Sequence, residues 1–98
     1  VSGSSITGAK STLNVSAATL ITTAANPVGS RIARVSVTTA GSGAGSLYDS
    51  ATVAGAAAAN LIATIPNAVG VITIDFPVTA GIVVVPGAGQ VVSVSYDG

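Results

Sequence analysis

Histidine, cysteine and glutamate are all absent from this 98-residue chain. Without histidine no side chain shuttles protons near neutral pH. Without cysteine there is neither a disulfide framework nor thiol chemistry. Lacking both, the chain has none of the normal ligands of structural zinc, and a Ser-His-Asp arrangement cannot be built. Charge is equally scarce. Charged residues make up 6% of the sequence, against ~25% in an ordinary soluble domain. They are Lys10, Arg31, Arg34, Asp49, Asp75 and Asp97, with a formal net charge of zero. Three cations do not make a basic patch, so binding to nucleic acid through phosphates is disfavoured. No apolar run reaches the ~20 residues of a membrane helix. The opening residues, Val1 to Ser5, lack the basic start and apolar stretch of a signal peptide, although a processed mature form would look the same.

What is present is aliphatic. Apolar residues are 49% and aromatics only 3%, namely Tyr48, Phe76 and Tyr96. Disordered chains combine low hydrophobicity with high charge, the reverse of this composition. The apolar set is Val, Ile and Ala, and β-branched side chains fit the pleated surface of a sheet. A free monomer with so few charges lacks the repulsion that keeps proteins apart. Much of its surface is therefore expected to be covered in its working state, or the chain to work fixed within an assembly.

Length fits one domain, residues 1–98. Residues 1–11, rich in Gly and Ser, read as an irregular N-terminal arm. Thr12 to Val15 and Ala17 to Thr23 read as one bent strand or two short ones, and Asn26 to Gly29 as a turn. Arg31 to Thr39 alternates with Ala33, Val35 and Val37 on one face and Ile32, Arg34, Ser36 and Thr38 on the other. Ala40 to Gly45 is a loop, and Ser46 to Ser50 a short strand. Ala56 to Ala59 favours helix but is too short to stand alone, so it reads as a connection with one helical turn. Leu61 to Ile65 is a strand. Val71 to Phe76 follows, with Ile72, Ile74 and Phe76 inward and Thr73 and Asp75 outward. Gly81 to Val85 is apolar on both faces, which predicts a central, doubly covered strand. Pro86 to Gly89 is a tight turn, and Gln90 to Tyr96 the last strand, with Val92, Val94 and Tyr96 on one face and Val91, Ser93 and Ser95 on the other. The sum is an all-β, compact antiparallel β-sandwich, jelly-roll or Ig-like, of about seven or eight short strands.

Several motifs resolve into structure rather than chemistry. Gly3 to Ser11 reads GSSITGAKS, but a phosphate-binding loop needs Lys directly after the second Gly, and Ala9 intervenes. Gly41 to Gly45 is glycine-rich without the helix that a dinucleotide site requires. Asn14-Val15-Ser16 matches the glycosylation sequon, a triplet frequent by chance. A Lys10–Asn crosslink would need a buried acid between the two. A glycosidase-type carboxylate pair would have to come from Asp49, Asp75 and Asp97, and these read as surface residues. The same acids form no clustered calcium loop. Arg31 and Arg34, three apart in a strand, are expected on opposite faces. Arg34 is either solvated or the partner of an Asp on another subunit. The candidate assembly contacts are Lys10, Arg34 and Val91. No catalytic residue, metal or cofactor is expected, and the chain reads as a non-enzyme.

From Gly45 onward the sequence carries a family likeness. GSLYD at 45–49, NLIATIP at 60–66 and FPVTAGIVVVPGAGQVVSVSY at 76–96 resemble small β-sandwich virion proteins of tailed bacteriophages, of the head-decoration or cement kind. The resemblance implies a multicopy structural role without catalysis. Its partners would be the major capsid protein or another virion protein and copies of the chain itself, on the capsid surface. Three further readings stay open: a tail or vertex subunit, a carbohydrate- or receptor-binding module, and a subunit that polymerises by strand exchange through an open edge.

Overall fold

The computed structural model describes residues 10–23 and 30–97. The turn expected at Asn26 to Gly29, and the greater part of the expected arm, lie outside those residues. Eight strands are described: β1 (Lys10–Val15), β2 (Thr19–Thr23), β3 (Ser30–Thr39), β4 (Gly45–Asp49), β5 (Leu61–Ile65), β6 (Gly70–Val78), β7 (Gly81–Val85) and β8 (Val91–Asp97). β1 takes in Lys10 and Ser11, so the end of the expected arm is strand. Of the two readings for residues 12–23, the structure has two strands, and they belong to different sheets.

The strands form two four-stranded antiparallel sheets that pack into a sandwich. Sheet A has the order β1-β8-β3-β6 and sheet B the order β2-β7-β4-β5. β1 pairs β8, β2 pairs β7, β3 pairs β6 and β4 pairs β5. This nesting of first strand with last, and so inward, is the double Greek key of a jelly roll. Between β4 and β5 the expected helical turn is a 3-10 turn, Ala58–Asn60. Asn60 holds it, accepting from the Ala57 N–H at 2.8 Å and donating to the Gly55 carbonyl at 3.0 Å.

The core follows the period-two pattern. Val35 and Val37 of β3 and Val92 and Val94 of β8 meet Leu47, Ile65, Ile82 and Val84 of sheet B, all essentially inaccessible. Burying each such side chain contributes roughly 1.5–3 kcal/mol before the entropy of ordering it. β7 is central and buried on both faces, as its unbroken apolar run predicts. Ile82 and Val84 enter the core, while Val83 is covered on the outside, flanked in register by Leu20 and Tyr48.

One expectation departs through an extra residue in a strand, another through position at a sheet edge. Ile32 was expected on the polar face of β3, yet it is fully buried. It stands opposite Tyr96, whereas Arg34 stands opposite Ser95, so Ala33 is an extra residue facing β8. Such a bulge reverses the side-chain phase of everything before it. Phe76, expected inside, stands opposite buried Ile32 and keeps the inward phase, but on an edge strand it is 46% exposed and outside the core cluster. β6 is an edge strand with its own bulge, since Ile32 faces Phe76 and Arg34 faces Thr73. Asp75 within it takes φ +47°, a left-handed conformation that Asp and Asn tolerate better than other non-glycine residues.

Every outer strand carries such an irregularity. In β1, Thr12 faces Val94 and Val15 faces Val92, with Asn14 at φ +59°. In β2 and β5 the register slips at Ile21 and Ile62. Bulged edges twist away from the flat geometry that another strand needs for pairing.

Candidate assembly face

Sheet A turns one face to the core and the other outward. The outward face is built from alternate residues of four neighbouring strands. β8 supplies Ser93 and Ser95, β3 supplies Arg34 and Ser36, and the edges supply Leu13 on β1 and Val71 on β6. Together with Ser11 and Val94 they line an open depression of about 220 Å³. Leu13 is 70% exposed and Val71 64%, so a shallow floor that is itself lined mainly by apolar atoms lies between two uncovered aliphatic side chains. The floor is held from within. The Ser93 Oγ accepts from the Asn14 N–H at 3.2 Å, which fixes the β1 bulge. The Ser95 Oγ accepts from the Arg34 N–H at 3.1 Å and donates to the Arg34 carbonyl at 3.4 Å.

The Ala33 bulge changes the charge pattern of this face. Arg31 is opposite Asp97 and Arg34 opposite Ser95 on an unbroken stretch of β8. Both arginines are therefore outward, not on opposite faces as their spacing predicts. Arg31 is tied within the chain, its Nη1 lying 3.1 Å from Asp75 Oδ1. As a largely exposed pair it adds at most about 1 kcal/mol. Among the described residues no carboxylate pairs with Arg34.

The three candidate contacts do not converge. Arg34 is in the depression. Val91 shares its face, because Val92 points to the core, but it is half-buried at the strand's start, where its carbonyl accepts from Thr38 Oγ1 at 3.2 Å. Lys10 is paired with inward Tyr96, out of phase with outward Ser11. An inward-facing charge on an edge strand is a device against edge pairing. Leu13, Val71 and the serines had no place among those contacts. Strand phase alone marks Ser93 and Ser95 as outward, but nothing local brings β1 and β6 to their two sides.

Asp49 was read as an ordinary surface aspartate. Instead it ties the end of β4 to the turn between β6 and β7. Its Oδ1 accepts the N–H groups of Thr79, Ala80 and Gly81 at 3.2, 2.8 and 3.2 Å, and its Oδ2 accepts the Thr79 N–H and hydroxyl at 3.1 and 3.3 Å. Partial burial alone would raise the carboxyl's pKa, but the donors at Ala80, Thr79 and Gly81 outweigh it and hold the pKa below its ordinary value. A lowered folded-state pKa gives stability that is present above the unfolded value, about 4, and is lost as pH falls through the folded one. Asp49→Ala is expected to cost about 2 kcal/mol at neutral pH, from loss of these charge-assisted bonds. The gap from wild type should narrow in acid, as urea unfolding at about pH 7 and about pH 3 would measure.

Among the described residues no group of three acidic side chains gathers in a metal-binding cluster, and no helix is long and apolar enough to cross a membrane. Comparison of the chain with protein-family models, with curated proteins and with solved structures returns no match.

Proposed function

We propose that this chain is a non-catalytic virion structural protein of a tailed bacteriophage, a decoration or cement subunit that stabilises the shell by bridging neighbouring capsid subunits. The observation that carries this reading is the outer face of sheet A, with uncovered Leu13 and Val71 on either side of a shallow, mainly apolar depression. Apolar side chains displayed on a rigid sheet favour burial against another protein. A cement subunit works by adding modest interface at many equivalent seams, so that small contacts sum over the shell. The bulged edges support the same reading, because they direct association to faces rather than to strand pairing. Jelly rolls serve both viral shells and lectins, so the fold alone does not choose between them. A sugar platform needs exposed rings grouped on one face. Here Phe76 is on β6, Tyr48 is on the other sheet, and Tyr96 packs against the core.

The test is quantitative mass spectrometry of gradient-purified particles from the source of the gene. A copy number comparable to that of the major shell protein is expected. A few copies per particle would replace the cement role with a tail or vertex one. Absence from particles would overturn the reading.

A further inference from the structure

We propose that the depression on sheet A receives a carboxylate from a partner protein, an Asp or Glu side chain with aliphatic neighbours, and that the Arg34 guanidinium is its counter-charge. The inference rests on the assembly reading of this face and names the chemistry of what docks there.

Charge is the first argument. Asp75 is taken by Arg31 and Asp49 by the turn before β7. Asp97 follows on the same face, in register with Arg31. Arg34 is a cation set among serines and aliphatic side chains, and no ion pair to it is found among the described side chains. A guanidinium fork matches a carboxylate in shape and in charge. Size is the second. A space of about 220 Å³ is below the ~300–1,000 Å³ of sites for free small molecules, but suits one side chain and its immediate neighbours. The walls are the third. Leu13 and Val71 stand on opposite edges of the sheet, where aliphatic residues flanking the carboxylate would cover them. A second copy docked face to face about a two-fold axis would set Arg34 near its own equivalent, and like charges repel. Residues 1–9 contain no acid, so that segment cannot supply the carboxylate.

The probe is the blocked tripeptide acetyl-Val-Glu-Val-amide, compared with acetyl-Val-Gln-Val-amide, followed by amide chemical shifts of the full chain. The Glu peptide is expected to shift the amides of Arg34, Ser36, Ser93 and Ser95, and to bind about tenfold more tightly than the Gln peptide. Arg34→Gln should remove that preference while leaving the spectrum elsewhere unchanged, which shows the fold intact. Equal binding of the two peptides, no shifts, or shifts confined to another surface would overturn the proposal. Particle composition is a separate measurement. A chain abundant in particles but indifferent to Glu overturns the carboxylate site alone. A chain that prefers Glu but is absent from particles overturns the virion reading alone.

Discussion

Gln90→Glu is expected to destabilise the fold by about 4 kcal/mol at neutral pH. Gln90 is fully buried, and Ser50 is the other polar side chain buried among the described residues. Its Oε1 accepts the Gly87 N–H at 3.0 Å, and its Nε2 donates to the Pro66 carbonyl at 3.0 Å. One amide thereby joins the turn before β8 to the end of β5, across the two sheets. A carboxylate keeps the acceptor but turns a second oxygen toward the Pro66 carbonyl, and burial penalises its charge. The introduced acid's pKa must then rise. The sign follows: the penalty is absent where the acid is protonated in both states, below about pH 4, and grows as pH climbs toward the raised value. Gln90→Leu removes both bonds without adding charge, and should cost about 2 kcal/mol with no such pH dependence. Urea unfolding across pH separates the cases. A Gln90→Glu penalty that is flat with pH would show that the site admits water.

Gly87→Ala is expected to cost about 3 kcal/mol or more, while Gly43→Ala stays within about 0.5 kcal/mol of wild type. The two glycines face each other where the β3–β4 loop crosses the turn before β8. Ser42 fastens the crossing, its N–H donating to the Ala88 carbonyl at 2.8 Å. A methyl group at Gly87 would collide with the Gly43 carbonyl oxygen and would lie 2.6 Å from the Gly43 carbon and 2.9 Å from the Ala44 oxygen. All three are backbone atoms, so no rotamer change relieves the clash. One or both segments must move, and the hydrogen bonds at Ser42 and Gln90 move with them. A methyl group at Gly43 meets nothing within 4 Å. For a domain of this size, about 3 kcal/mol lowers Tm by roughly 12–24 °C, which a thermal melt resolves readily. Equal melting temperatures for the two variants would mean that the crossing is loose in solution.

Both residues fall in stretches read from sequence as turn or strand start; the turn is as read, and the strand begins one residue later, at Val91. The turn closes with the Gln90 N–H on the Gly87 carbonyl at 2.9 Å, and Gly89 takes φ +76°. What local pattern misses is that Gln90 is interior. A polar residue beside a glycine turn looks solvent-facing until the segments packed over it are known. Asp49 was missed in the same way, because its partners at Thr79 to Gly81 are distant in sequence.

The candidate face divides similarly. The outward phase of Ser93 and Ser95 is legible in the alternation of β8, and β7 announces its central position by being apolar throughout. Arg34 stood out as a lone cation in mid-strand. Its setting did not, because Leu13 and Val71 come from strands far from β3 in sequence.

The sequence alone determined the class of this protein. Side-chain alternation and glycine or proline turns act over a few residues, so the strands, most of their inward faces and the sandwich could be read directly. Only the tertiary structure decided which strand lies beside which, where Ala33 and Asp75 interrupt the ladder, and hence that Arg31 and Arg34 share a face. Register is fixed by hydrogen bonds and packing between strands far apart in the chain, and one extra residue reverses a face without altering the local pattern that announced it.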